Sequence, residues 1–198
     1  METKDGSIEI ICGPMFSGKT EELIRKIRRF DYAKKKYAIF TPKIDTRGGF
    51  NDVYSHNGNR MEAVSVSSAS DILTYLRKHK NIEIVAIDNL QFFDKYIIKL
   101  LKALLYKGYN VIGTGLEKDF RGEPFGPMPE LLALATRVKK LTSICNICGK
   151  DADYTQRMVK GKAVLSNDEI IQVGAEESYE ARCLEHHEIT GKEEFNIF

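Results

Sequence analysis

A chain of 198 residues, 42% hydrophobic and 29% charged, suits one large globular domain or a domain with a small appendage, and needs no covalent staples. A net charge of +2 argues against a protein built to coat nucleic acid. No apolar run reaches the roughly 18 residues of a membrane span, and "METKDGSIEI" lacks a signal-peptide core, so a cytoplasmic protein with no membrane partner is expected.

"SIEIICG" (7–13) is short, β-rich and closes on glycine, which predicts a buried strand. "GKTEELIRKIRRFDYAKKK" (18–36) sets Leu23, Ile24, Ile27 and Phe30 at helical spacing among charges. The basic residues of this helix, Arg25 to Lys36, are read as a solvated face. "KYAIFTPK" (36–43) is a second strand, stopped by Pro42, and "DTRGGFNDVYSHNGNR" (45–60) is a long mobile loop rich in Gly, Asn and Asp. A short strand at 63–68 leads to a helix at 71–79, capped by Ser68 or Ser70. Then come a buried strand "IEIVAID" (82–88), a helix (95–108) ended by Gly108, a strand (109–116) and a helix "PELLALATRV" (129–138) with Pro129 in its first turn. Strands alternating with helices predict an α/β fold with a mostly parallel sheet flanked by helices. Beyond about residue 140 no helical pattern remains, and two Cys/His clusters are separated by turn-prone sequence. The expected organisation is a P-loop α/β domain over 1–140, a small zinc-binding unit over 141–190 and a tail over 191–198.

"GPMFSGKT" fits G-x-x-x-x-G-K-[ST]. Gly13 and Gly18 let the backbone wrap a phosphate, so that N–H groups along Pro14, Met15, Phe16 and Ser17 surround its oxygens wherever an N–H exists. Lys19 reaches the outer phosphates as a point charge, Thr20 offers a hydroxyl to Mg²⁺, and the following helix adds its positive end. The buried strand before it and the amphipathic helix after it supply the context such a loop needs. Cys12, just before the loop, is read as a small core residue. Asp88 ends a hydrophobic strand, where P-loop enzymes carry their second magnesium group.

Four cysteines occur, three of them in the last third. Cys145-x-x-Cys148 and Cys183-x-x-His186 are two halves of a closed tetrahedral zinc site. His187 rivals His186 for the fourth place, and the x-x spacing favours His186. A coil-rich unit of this size buries little surface, so a metal clamp suits it.

"GPMFSGKT", "PKIDTR" (42–47), "IDNLQFF" (87–93), "GLEKDFRGEPFG" (115–126), "KLTSICNIC" (140–148) and the closing C-x-x-H occur in this order. Over residues 7 to 188 they closely resemble the thymidine kinases shared by bacteria, animals and poxviruses. The resemblance implies transfer of the γ-phosphate of ATP to the 5′-hydroxyl of thymidine, with Mg²⁺, a structural Zn²⁺, a homotetramer and feedback inhibition by dTTP. It makes the segment between the zinc pairs a lasso over the nucleoside, whose base is read largely by backbone. Deoxyuridine should then be accepted and deoxycytidine rejected.

Carried over by motif, Met15, Phe92, Leu116, Phe120 and Tyr179 match positions enclosing base and sugar. Thr155 matches a position near the thymine methyl, and Gly174 a lasso residue whose backbone meets the base. Asp45 and Arg47 match the mobile loop near the phosphates, and Gln91 is assigned to the cofactor side with Asp88. Taken singly, the apolar residues among these would be read as core packing.

One position departs from the pattern. Where the family carries Asp-Glu-x-Gln-Phe, this chain has Asp88-Asn89-Leu90-Gln91-Phe92. The Glu is the expected general base, and an amide takes no proton at neutral pH. Glu117, Glu21 and Glu22 are the carboxylates nearest in motif context that could substitute. The expectation is binding of both substrates and a much reduced rate. Alternatives are a nucleotide-binding homologue without turnover and, against the near-neutral charge, a zinc unit that binds nucleic acid.

Overall fold

The computed structural model describes residues 5–44, 52–54, 60–170, 177–189 and 191. Asp45, Arg47 and Gly174 lie outside the described residues, as do most of the loop predicted over 45–60 and all of the predicted tail except Gly191.

Alternation along the strands sets the layering. In β1 (Ser7–Cys12), Ile8, Ile10 and Cys12 pack on one face of the sheet and Ile11 on the other. α1 (Lys19–Tyr32) covers the Ile11 face with Leu23 and Ile27. β2 (Tyr37–Pro42) follows, then a small antiparallel hairpin, β3 (Asp52–Tyr54) and β4 (Arg60–Glu62), and β5 (Val64–Val66). α2 (Ala69–Lys78) starts at Ser68, where Ser68 and Asp71 form a reciprocal capping box. β6 (Ile84–Ile87), α3 (Tyr96–Tyr106), β7 (Asn110–Gly115), α4 (Met128–Leu134) and β8 (Arg137–Lys140) complete the sheet unit. α2, α3 and α4 cover the Ile8 face through Ile72, Leu76, Ile97, Leu101, Leu104, Met128 and Leu131.

The six strands run in the order β5-β2-β6-β7-β1-β8, and every neighbouring pair is parallel. Cys12 stands opposite Gly115, and Ile87 opposite Gly113 and Phe40. The register therefore gathers Gly13, Asp88 and Leu116 at the carboxyl ends of three adjacent strands, where open α/β sheets bind ligands.

The helix expected over 129–138 stops at Leu134, and residues 137–140 are strand β8. Ala135 is extended, and Thr136 bonds to Ile8 O through both its N–H (2.8 Å) and its hydroxyl (2.8 Å). The open edge of β1 thus captures a segment whose apolar spacing alone reads as helical. No helix among the described residues is long and apolar enough to cross a membrane.

After β8 the described residues form short antiparallel pairs. β9 (Ser143–Ile144) pairs with β10 (Asp151–Ala152). β11 (Tyr154–Val159) lies between β12 (Lys162–Ala163) and β13 (Glu177–Arg182). A single turn at Leu184–His186 follows β13.

Candidate active site

The loop between β1 and α1 needs its glycines. Gly13 has φ 148°, and a Cβ there would sit 2.4 Å from Leu141 O. Gly18, the N-cap of α1, has φ 79°. Phe16 also takes a positive φ of 64°, which L residues adopt at a cost. Lys19 is 9% exposed and curls back over the loop, donating from Nζ to Pro14 O (2.5 Å) and Ser17 Oγ (3.4 Å). Ser17 Oγ also donates to Pro14 O at 2.8 Å. An ammonium thus sits inside a ring of loop backbone at a helix N-terminus, an arrangement suited to phosphate.

Asp88 faces this loop from the end of β6. It is 3% exposed, and its Oδ2 accepts from Thr20 Oγ1 at 3.4 Å. Its Oδ1 accepts from Thr114 Oγ1 and, at 3.1 Å, from Asn89 N. Thr114 was missed from the sequence, where a Thr between two glycines at a strand end was the only signal. The next residue, Asn89, is left-handed with φ 52°, which Asn tolerates better than most. Its N–H is also within 3.2 Å of Thr114 Oγ1, and its Oδ1 accepts from Gln91 Nε2 at 3.2 Å. Gln91 Oε1 in turn accepts from Leu116 N at 3.0 Å. Gln91, expected on the cofactor side, therefore has both ends of its amide engaged within the protein. It is also caged: a Cβ on Gly126 would lie 2.5 Å from Gln91 O.

The residues expected around base and sugar come together in three groups. Met15 N donates to Thr155 Oγ1 at 3.0 Å, joining the phosphate loop to β11. Leu116 is held by Gln91, one residue from Phe92, whose ring meets Phe125 edge-to-face at 5.9 Å. Phe120 is 5% exposed beneath the Arg157 guanidinium at 5.3 Å, and Arg157 stands opposite Tyr179 across β11 and β13. Arg157, itself 1% exposed and donating to Glu169 O at 2.6 Å, was also missed. Burial of an arginine has no sequence signature. The 116–126 loop is anchored to the small unit by Lys118, which pairs with Asp153 at 2.9 Å and lies 3.7 Å over the Tyr154 ring.

None of the three carboxylates proposed as stand-ins for a base has been brought to Asn89 by a hydrogen bond among the described contacts. Glu22 is gripped by Arg25 and Lys139. The Arg25 hydrogen bonds, opposed by burial and aided by Lys139, hold its carboxyl at about 2, too low for a general base at neutral pH. Glu117 pairs with Lys140 at 3.3 Å. Burial, with the Glu117 charge added, pushes the Cys12 thiol up to about 11, so Cys12 is an inert core residue.

Cys145, Cys148, Cys183 and His186 offer ligand atoms that all lie within 4.8 Å of one another. Cys148 Sγ and Cys183 Sγ are 3.8 Å apart, and His186 Nδ1 is 3.2 Å from Cys183 Sγ and 3.9 Å from Cys145 Sγ. Tetrahedral zinc with Zn–S near 2.3 Å separates its sulfurs by about 3.8 Å, so these residues fit the ion. Burial opposes ionisation of Cys145, but backbone groups of Cys183, Cys148 and Ile147 outweigh it and bring its pKa to about 6, favouring the ligating thiolate. His187 is excluded as the fourth ligand by its position: Nε2 lies 2.8 Å from Phe120 O and the ring stacks on Tyr154 at 4.5 Å.

The family model described as Thymidine kinase matches residues 6–187, most of the chain.

Proposed function

This chain belongs to the thymidine kinase family, and we propose that it transfers the γ-phosphoryl group of ATP to the 5′-hydroxyl of thymidine. The approach of Thr20 Oγ1 to Asp88 Oδ2 at 3.4 Å carries the reading, because it sets a phosphate loop and a strand-end carboxylate on either side of one small space. The outer phosphates would take over the bonds that Lys19 makes to Pro14 and Ser17, and the loop N–H groups would hold the rest of the chain of phosphates. Thr20 and Asp88 would hold Mg²⁺, which neutralises charge on the phosphate oxygens when bound. Met15, Phe92, Leu116, Phe120, Thr155 and Tyr179 enclose the nucleoside in this reading, with Gly174 over the base and Asp45 and Arg47 near the phosphates. Residues 1–140 bind nucleotide, 141–190 carry zinc and the lasso, and the enzyme works as a homotetramer restrained by dTTP.

Asn89 favours a second reading, binding with little turnover. It accepts no proton from the 5′-hydroxyl, and a positioned base contributes roughly 10²–10⁴-fold. Phosphoryl transfer through a loose transition state depends largely on positioning and electrostatics, which Lys19 and the loop supply, so slow transfer is retained. Steady-state kinetics of the protein and its Asn89→Glu variant with thymidine and ATP test both readings. A kcat that rises by about 10²-fold or more is expected. No gain would sink the missing-base argument, and no transfer by either protein would leave only the binding reading.

A further inference from the structure

Thr155 and Arg157, two residues apart on β11, share one face of that strand, and their cross-strand partners Ala181 and Tyr179 extend it. The Thr155 hydroxyl accepts the Met15 N–H at 3.0 Å, so this face is turned toward the loop between β1 and α1. Arg157 is 1% exposed on it. Its guanidinium lies 5.3 Å from the centre of the Phe120 ring, and its Nη1 donates to Glu169 O at 2.6 Å. Its own carbonyl accepts from Val164 N at 3.4 Å, so one residue holds both ends of the 164–169 segment. Within that segment Asp168 closes a turn, its Oδ2 accepting from Leu165 N at 3.1 Å. A buried charge carries a desolvation cost that an apolar side chain of similar volume avoids. What a guanidinium alone supplies is shape: a flat face for an aromatic ring, with donors fixed in the same plane.

We infer that Arg157 is a positioning residue of the nucleoside site, bracing the Phe120 ring and the 164–169 segment against β11. Phe120 comes from the loop after β7, Glu169 from the segment after β12 and Tyr179 from β13, and Arg157 is where these three separate pieces of chain meet. The other grips on Phe120 do different work. His187 Nε2 lies 2.8 Å from its carbonyl oxygen and so holds the loop backbone. The Arg121 guanidinium is farther from the ring, at 5.9 Å, and is bound to the Asp119 carboxylate. A wall set in place before the nucleoside arrives lowers the ordering cost of binding. Loss of the brace therefore weakens nucleoside affinity and leaves Lys19, Thr20 and Asp88 as they are.

The inference rests on the nucleoside kinase reading, and calorimetric titration of the full chain with thymidine and, separately, with ATP tells the two apart. Arg157→Met keeps an unbranched stem and removes the flat face and the donor. Its thymidine Kd is expected to rise by about tenfold or more, from a lost buried hydrogen bond and a lost ring contact, with ATP affinity changed by less than about twofold. Zinc content should not change. Arg157→Lys keeps the charge and a donor but not the plane, and should fall between the two. Phe120→Leu combined with Arg157→Met should lose less than the product of the two single losses, because Arg157 acts partly through that ring. Should Arg157→Met fail to fold, Arg157→Lys must still lose about threefold or more for thymidine alone. Unchanged thymidine affinity, equal losses for thymidine and ATP, loss of zinc, or losses that simply multiply in the double variant overturn the inference and leave the kinase reading standing. Failure of the unaltered protein to bind thymidine overturns the kinase reading itself.

Discussion

Twenty buried side chains, from Ile8 to Leu131, pack between the sheet and α2, α3 and α4, whereas the segment beyond β8 gathers a buried cluster of four: Cys145, Ala152, Ala181 and Cys183. Two of those four belong to the Cys/His cluster that could hold a metal ion, and the other two are alanines. Ordering a residue costs on the order of 1 kcal/mol or more, and this cluster, with the buried Thr155, Gln156, Arg157, Val164 and Arg182, gives the described residues beyond β8 much less apolar burial than the sheet has. Among the described residues, the sheet is thus specified by burial and register, whereas the region beyond β8 gathers four ligand atoms that could hold one metal ion. The same contrast governs what each can do. A layered sheet presents fixed strand ends, and the short antiparallel pairs beyond β8 bring together four side chains that could hold a metal ion.

The contrast breaks most visibly at the metal. Purified protein should hold one zinc per chain by elemental analysis, since apparent zinc binding in small folding units is worth about 10–16 kcal/mol. Strong chelation, or Cys183→Ser, should open residues 141–189 to limited proteolysis while the sheet unit stays resistant. Thymidine binding should fall by two orders of magnitude or more through loss of β11 and β13, an order-of-magnitude expectation from unfolding of the unit. A metal-free protein that resists protease over 141–189 would show that the second unit stands on burial after all.

A smaller effect should come from the seam between the regions. Thr155 is 4% exposed, and its hydroxyl accepts the Met15 N–H at 3.0 Å across 140 residues of sequence. Thr155→Val keeps the volume and leaves that donor without its acceptor, a cost of about 1–3 kcal/mol. Urea unfolding should show this loss, zinc content should not change, and Thr155→Ser should recover most of it. Loss of zinc in Thr155→Val would mean that the two regions are not held independently.

What was legible follows from the range of each interaction. The glycine-rich loop between β1 and α1 and the Cys/His cluster that could hold a metal are legible from spacing because each pattern is local: two glycines and a lysine, or two residues flanking x-x. Strands β1, β6 and β7 are read from short apolar runs because both faces of a parallel sheet are covered. β8 was misread because its helix-like spacing is overruled by the free edge of β1. The two-residue strands β9, β10 and β12 are too short to show any period. The clamp of Gln91 on Asn89 and the bond from Thr155 to Met15 depend on approach in space, which no local pattern records. Asn89 was visible as a departure, but its bond from Gln91 Nε2 was not.

The smallest effect belongs to charge on the sheet unit, at the junction of α1 and β8. Glu22 accepts from Arg25 Nε (2.6 Å), Arg25 Nη2 (2.8 Å) and Lys139 Nζ (2.8 Å), which lowers its pKa from the ordinary 4.5 to about 2. A carboxyl whose folded pKa is depressed contributes stability that is complete above its unfolded value and is lost as pH falls through the folded one. The loss should therefore spread between about pH 4.5 and about pH 2. Arg25 and Lys139 are 56% and 44% exposed in their side chains, so solvent and salt screen the pair, and exposed pairs are worth about 0–1 kcal/mol. Glu22→Gln should flatten this part of the urea midpoint against pH, and Lys139→Met should raise the folded pKa of Glu22, so that the loss is smaller and is complete at a higher pH. A steep loss that survives Glu22→Gln would assign the acid sensitivity to another carboxyl. A large loss removed by Glu22→Gln would mean that the edge strand β8 depends on charge as the second unit depends on metal, and that burial alone does not account for the sheet.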